Sequence, residues 1–309
     1  MTTTLVQSDK TLSLRAYLQL MRPANIVTAW ADILLGAAAT GVSVAANFGF
    51  GNFDLSNLAW LIIATTGLYG GGVVFNDVCD AELDAKERPE RPIPSSRVSL
   101  EHAAALGTAL LMMGILAAGM VSTQSEIMAM AIAASVLIYD KWGKHQTLLG
   151  PLNMGICRGG NLLLGVSLVS GGISDRWYLA LIPIVYIAAI TAISQGEVHG
   201  GNKTTGIMAI ALIMTVIGGI FGLGMLPEYE LSIVLPFAGL FSALVLPPFI
   251  KAALEPTPEL IQNAVKTGIL ALIVLNAAIA AGFAGWVYGL LVLALLPLSR
   301  GLGKMFAIT

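Results

Sequence analysis

Asn76, Asp77, Asp80 and Asp84 stand close together in the stretch FNDVCDAELDAKERPERPIPSSR, which runs from Phe75 to Arg97. On a helix these spacings (i, i+3, i+7 for the acids; i, i+4 for Asn76 and Asp80) place all four along one face. Three carboxylates over about 10 Å of helix repel one another unless a cation sits among them. Hard divalent cations take oxygen ligands, and Mg²⁺ typically uses one or two carboxylates plus waters and substrate phosphates. The pattern therefore predicts Asp77, Asp80 and Asp84 as ligands of a Mg²⁺-bridged diphosphate. The plainer alternative is a solvated acidic helix end, which membrane topology does not reward. Arg88 and Arg91 come next, planar forks suited to phosphate oxygens and also ordinary inner-loop positive charges. Pro89, Pro92 and Pro94 end the helix and stiffen the loop after it.

The elements that must hold this segment belong to a membrane. The chain has 309 residues, 56% hydrophobic and only 11% charged, with a mean hydropathy of +0.82. Soluble domains carry about a quarter charged residues. Continuous apolar runs, rather than alternating ones, select helices over a barrel. They fall near 25–46, 57–76, 103–121, 124–140, 148–170, 177–194, 206–226 and 231–250, followed by a long stretch at 268–298. That last stretch exceeds the ~20 residues needed to cross. It is one tilted helix with a surface tail or a tight hairpin around Gly282–Gly285, so the count is nine or ten.

Charge supports this assignment. With the N-terminus inside, Lys10, Arg15, Arg22, Lys86, Arg88, Arg91, Arg97, Lys141, Lys144, Lys203, Lys251 and Lys266 lie on inner segments, and the outer loops hold only Arg176. This is the positive-inside pattern. A hairpin at the end would bring Arg300 and Lys304 inside as well, which favours it. The expectation is an all-α polytopic bundle over residues 1–309, a single integral-membrane domain. Residues 1–21 form a cytoplasmic N-terminal segment, and a cavity opens to the cytoplasmic side. The N-terminus lacks the features of a cleaved signal. The expected location is the plasma (inner) membrane, with the site loops cytoplasmic.

Other polar residues lie within or beside spans, where they line a cavity or pair. Asn25 and Asp32 share roughly one face of the first helix. Asn153, Arg158 and Asn161 sit in the fifth span and Asp140 at the inner end of the fourth. Arg158 either pairs with a buried acid such as Asp32 or holds an anionic acceptor. Cys79 and Cys157 have no metal or disulfide spacing and read as small buried groups. Most of the 34 glycines read as small-residue packing faces.

The run N-D-x-x-D-x-x-x-D followed by R-P-x-R-P-I-P-S resembles the first aspartate-rich motif of the UbiA superfamily of intramembrane prenyltransferases. LMRPANIVTAWADILLG is similar to that family's first helix, and YDKWGKHQTLLGP to its tyrosine–lysine loop. GPLNMGICRGGNLLLG and SQGEVHGGNK resemble the EboC-like branch.

The resemblance implies nine helices around a cavity, Mg²⁺ as cofactor and a polyprenyl diphosphate as donor. It implies a hydrophobic, usually aromatic, acceptor and membrane lipids as surroundings; no nucleic-acid partner is expected. It makes Asp77, Asp80 and Asp84 catalytic metal ligands. Arg22, Asn25, Asn76, Arg88, Arg91 and Lys144 become diphosphate contacts, and Tyr139 a ring facing the allylic cation's path. The family's second acidic motif falls at Ser194–Lys203, where Glu197 is the remaining carboxylate and is taken as catalytic and metal-binding. Gln195, His199 and Asn202 offer neutral groups there. The acid pair usual in the family is missing, which keeps open a non-catalytic relative that binds or carries an isoprenoid. A transporter would want paired repeats, and no duplication is found.

Overall fold

The computed structural model describes residues 14–41, 55–146 and 149–306, and every regular element among them is helical. Residues 1–13, with Lys10, and 42–54, with the end of the first expected span, lie outside the described residues, as does the side chain of His145. Residues 14–21 are helical and lead into α1 (Pro23–Ala39). There follow α2 (Leu55–Cys79), α3 (Ala81–Glu87), α4 (Leu100–Gly119), α5 (Thr123–Lys141), α6 (Leu149–Val166), α7 (Leu181–Ser194), α8 (Lys203–Gly222), α9 (Leu231–Leu254), α10 (Pro258–Leu293) and α11 (Leu295–Met305). Short helical turns at Gly172–Arg176 and Trp177–Ala180 precede α7.

Among the described residues six helical stretches are long and apolar enough to cross a membrane: Leu55–Cys79, Leu100–Gly119, Gly172–Ser194, Lys203–Met225, Leu231–Leu254 and Pro258–Met305. α1 is shorter, and 14 of its 17 residues are buried. It is therefore wrapped by protein rather than lipid, touching α2, α6, α10 and α11. α5 and α6 fall below the apolar measure because they carry polar groups, among them Asp140, Arg158 and Asn161.

Where lipid surrounds the helices, close van der Waals packing of small residues replaces the hydrophobic driving force. A Cβ built on Gly67 of α2 would overlap the backbone of α4 at Leu110 and Gly114. One on Gly36 of α1 would lie 2.5 Å from the carbonyl oxygen of Leu162 in α6. These two contacts draw α2–α4 and α1–α6 together and hold the walls that carry the polar residues.

The chain reverses at Gly285, whose φ of 85° and ψ of 175° suit a residue without a side chain. A Cβ on Gly289 would come within 2.6 Å of the Ala281 Cβ. In a straight helix residues that far apart are separated by about 12 Å. Past the reversal, Tyr288 Oη donates to the Leu34 carbonyl at 2.7 Å and Ser299 Oγ to that of Ala24 at 2.7 Å. The returning segment thus runs antiparallel to α1. The long apolar stretch is the hairpin, and Arg300 and Lys304 return to the end of the bundle that carries Ala24.

Candidate functional site

α2 delivers the acidic residues to the mouth of a cavity of about 390 Å³ inside the bundle. The helix does not run on unbroken. It ends at Cys79, and Asp80, with φ −92° and ψ 4°, forms a turn before α3. Helix-type bonds persist at Asp80 N to Asn76 O (3.0 Å), Asp84 N to Asp80 O (2.8 Å) and Arg88 N to Asp84 O (2.8 Å). The single row of four expected from the spacing is corrected accordingly. Asp77 and Asp84 share a partner, whereas Asp80 and Asn76 turn to another side. Asp80, Asp84 and Asn76 line the main cavity. Asp77 lines an adjoining one of about 220 Å³.

Each aspartate of this segment meets a cation. Arg22 Nη2 lies 2.7 Å from Asp77 Oδ1. Arg91 Nη1 bridges Asp84 Oδ2 at 2.7 Å and Asp77 Oδ1 at 3.3 Å. Lys144 Nζ lies 2.5 Å from Asp80 Oδ1. The prolines position Arg91 by stopping α3. The turn they shape is fastened by Arg97, whose Nη2 donates to the Glu90 carbonyl at 2.6 Å and Nη1 to Gln19 Oε1 at 3.0 Å. Arg22 sits immediately before Pro23 with a left-handed φ of 48°, a strained conformation that the packing must hold.

The second acidic segment contributes one residue. Glu197 lines both cavities, and its Oε2 is 3.7 Å from Arg88 Nη2. Its Oε1 is buried with no hydrogen-bond partner among the described residues. Burial pushes its carboxyl above the ordinary value, against the pull of Arg88. Gln195 and His199 are exposed, and Asn202 caps α8 by accepting from Thr205 N at 2.7 Å. The sequence offered these three as neutral ligands; the structure gives them no place in the cavity lining.

Deeper in, the walls are apolar, with Leu68, Ile132, Val136, Ile187, Ile190 and Leu272 facing the space. Asn25 and Tyr139 line it too. At depth, Arg158 resolves the choice left by the sequence in favour of pairing. Its Nε lies 2.6 Å from Asp32 Oδ2 and its Nη2 donates to Thr28 Oγ1 at 2.9 Å. Asn161 and Asn276 also donate to Asp32, at 2.9 and 2.6 Å. The guanidinium lies over the Tyr69 ring, 5.5 Å from its centroid. Asp140, which the sequence marked only as a polar group at a helix end, proves to be a buried cavity-lining residue. Its signal was adjacency to Tyr139 at the end of an expected span.

A hard cation suits this donor set. Among the described residues no three acid, histidine or cysteine side chains converge as an all-protein metal cage. Mg²⁺ does not need one, because phosphate and water oxygens complete its shell. Carboxyl and guanidinium groups alternate at the mouth, and two carboxyl oxygens, Glu197 Oε1 and Asp140 Oδ2, are buried without partners among the described residues. The residues present fit a divalent ion that arrives with a phosphate ligand.

The model of the UbiA prenyltransferase family matches residues 34–266. A digeranylgeranylglyceryl phosphate synthase of Ignicoccus hospitalis is 30% identical over 207 residues, covering 65% of this chain and 64% of the relative. The enzyme of that name from Saccharolobus solfataricus is 31% identical over 217 residues, covering 66% of this chain and 71% of the relative. The chain thus spans about two thirds of the length of these curated relatives. A solved structure of digeranylgeranylglyceryl phosphate synthase in membranes shares the fold with a TM-score of 0.65 at 19% identity, covering 89% of this chain and 99% of that one. A UbiA homolog from Archaeoglobus fulgidus bound to GPP and Mg²⁺ shares it with a TM-score of 0.53 at 14% identity, covering 90% and 99%.

Proposed function

The chain belongs to the UbiA prenyltransferase family, and on that premise we propose that it is a Mg²⁺-dependent intramembrane prenyltransferase. The donor is a polyprenyl diphosphate and the acceptor a hydrophobic, aromatic small molecule. One observation carries this reading: a single cavity joins a mouth of carboxylates and guanidinium groups to apolar walls within the bundle. A prenyl diphosphate is polar at one end and greasy at the other, and the cavity has the same polarity. An Archaeoglobus relative of this fold holds GPP and Mg²⁺, which supports the same assignment.

The metal is assigned to Asp77, Asp80, Asp84 and Glu197; when bound, Mg²⁺ supplies positive charge to a leaving diphosphate. Arg22, Arg88, Arg91 and Lys144 add fixed charge around the same oxygens, with Asn25 and Asn76 as neutral contacts. Preorganised charge of this kind stabilises the pair of electrons that leaves with the diphosphate as the C–O bond breaks. The allylic cation left behind must meet the acceptor before water. Leu68, Ile132 and Val136 keep the space dry, and the face of Tyr139 offers electron density along the path. The acceptor's nucleophilic atom forms the new bond to the prenyl carbon and then loses its proton.

The acceptor is inferred from what the cavity lacks. The relatives are named for a glyceryl phosphate product. Here the guanidinium at depth is already neutralised by Asp32, so it is not free to take a second phosphate. An uncharged aromatic acceptor fits that balance.

Membranes containing the protein, given radiolabelled geranylgeranyl diphosphate and Mg²⁺ with a panel of phenolic and glyceryl phosphate acceptors, test the proposal. Prenylated phenol with diphosphate release is the expected result. Asp80→Asn and Asp84→Asn should each lower turnover by about 10²-fold or more, the scale of losing one transition-state electrostatic group. Equal turnover in both variants refutes the site. Donor binding without release at any acceptor would favour a non-catalytic isoprenoid carrier, the reading that the reduced Glu197 segment keeps in play.

A further inference from the structure

Asp140 closes the last turn of α5 and is only 3% exposed. Its Oδ1 accepts a hydrogen bond from Asn76 Nδ2 at 3.0 Å. Its Oδ2 is buried and has no partner among the described residues. An idle carboxyl oxygen in such a place carries a desolvation penalty that a ligand removes. The residue lines the same cavity as Asn76 and Asp80. The nearby ammonium of Lys144 is engaged at Asp80 Oδ1. One carboxylate from the turn after α2 and one from α5 therefore face one region, with a lysine ammonium as the cation now beside them.

We propose that Asp80 and Asp140 together bind a divalent cation of the diphosphate, with Asn76 as the positioning residue that turns Asp140 toward it. The proposal rests on the prenyl-diphosphate reading above. Two carboxylates suffice for Mg²⁺ when phosphate and water supply the remaining oxygens. The site also answers a deficit in the chain. The segment around Glu197 brings one carboxylate where a pair was expected, and Asp140 supplies the missing one from the opposite flank of the acidic segment. Arg88, Arg91 and Arg22 crowd the Glu197 flank, whereas Lys144 is the cation engaged at Asp80. A second ion is thus better accommodated on the Asp140 side.

The test is Mn²⁺ binding to the purified full chain in detergent, followed by electron paramagnetic resonance, with geranyl diphosphate present and acceptor absent. Two ions per chain are expected for the wild type. Asp140→Asn should lose one, or weaken it at least tenfold, and Asp140→Glu should restore it in part. Asn76→Ala leaves the carboxylate in place but unoriented, so it should weaken the same ion several-fold; this variant decides the matter if Asp140→Asn does not fold. Unchanged binding of both ions in Asp140→Asn, or in Asn76→Ala should Asp140→Asn not fold, overturns the proposal alone. Failure of the wild type to bind Mn²⁺ with geranyl diphosphate overturns both the proposal and the functional reading beneath it.

Discussion

Replacing Arg158 should unsettle the bundle more than any change at the cavity mouth. Asp32 is fully buried, and its carboxylate is held by Arg158 Nε at 2.6 Å, Asn276 at 2.6 Å and Asn161 at 2.9 Å. Arg158→Met keeps the apolar stem of the side chain but removes the guanidinium, leaving the carboxylate with two neutral amides. Stranding one member of a buried pair costs about 3–5 kcal/mol. Asp32→Asn strands the guanidinium instead, yet this retains Thr28 Oγ1 and the Tyr69 ring. Because the ring can return up to about 2 kcal/mol, the loss should be smaller. The double variant strands neither charge and should lie within about 1–2 kcal/mol of wild type, since neutral replacements of buried pairs are often tolerated. Thermal unfolding in detergent measures this. A loss of 3–5 kcal/mol lowers the midpoint on the order of 10 °C for a chain of this size. If Arg158→Met melts with the wild type, or if the two single losses simply add in the double variant, the pair is not a coupled structural unit.

The reversal at Gly285 makes a sharp contrast with an ordinary helical glycine. Gly285→Ala forces a side chain into φ 85°, ψ 175° and should cost about 1–3 kcal/mol. Gly218→Ala, where a Cβ meets nothing within 4 Å, should be neutral or mildly stabilising in the same melt. Lys144→Met removes the ammonium that sits at Asp80, where it would compete with a metal bound there under the proposed function. It should raise apparent Mg²⁺ affinity about tenfold, roughly 1.4 kcal/mol, while slowing turnover; a fall in Mg²⁺ affinity would show that Lys144 does not occupy the metal's place. Burial holds the Glu197 carboxyl above the ordinary value of 4.5. Its neutral form is the one the fold prefers, so its contribution to stability is full below that ordinary value and fades as pH rises through the raised one. Glu197→Gln, fixed in the neutral form, should flatten the stability profile across that interval; a profile that keeps the wild-type slope would count against the buried carboxyl.

The helical runs were legible because their signal is local. Asp77 and Asp84 share Arg91, as residues a multiple of the helical repeat apart should. The 268–298 stretch was too long for one crossing, and Gly285 within it marks the turn. The sequence offered Arg158 with Asp32 as one of two options, and the two do pair; which other side chains meet across the bundle it did not carry. Arg22 finds Asp77, Asn76 finds Asp140, and Arg158 reaches Thr28, over separations of 55, 64 and 130 residues. Nothing in a local pattern sets such pairings; they arise from helix packing at contacts such as Gly36 on Leu162. The turn at Asp80 was likewise invisible, since no proline or glycine marks it. Its effect is to send Asp80 toward Lys144 while Asp77 and Asp84 stay on Arg91.

Under the proposed function, that division would govern how the mouth loads. Four carboxylates, Asp77, Asp80, Asp84 and Glu197, face four cations, Arg22, Arg88, Arg91 and Lys144, in the pairs found here. These paired groups are therefore balanced before anything binds. A bare divalent ion entering it meets four positive side chains, and a bare diphosphate meets four negative ones; each alone must break ion pairs whose partners are partly buried. Under the proposed function, a metal–diphosphate complex would bring both signs at once: arginines released by the ion would close on phosphate oxygens, and carboxylates released by the arginines would close on the ion. The same charge inventory would then serve the loaded and the empty mouth, and a preference for entering together would come from the pairing itself.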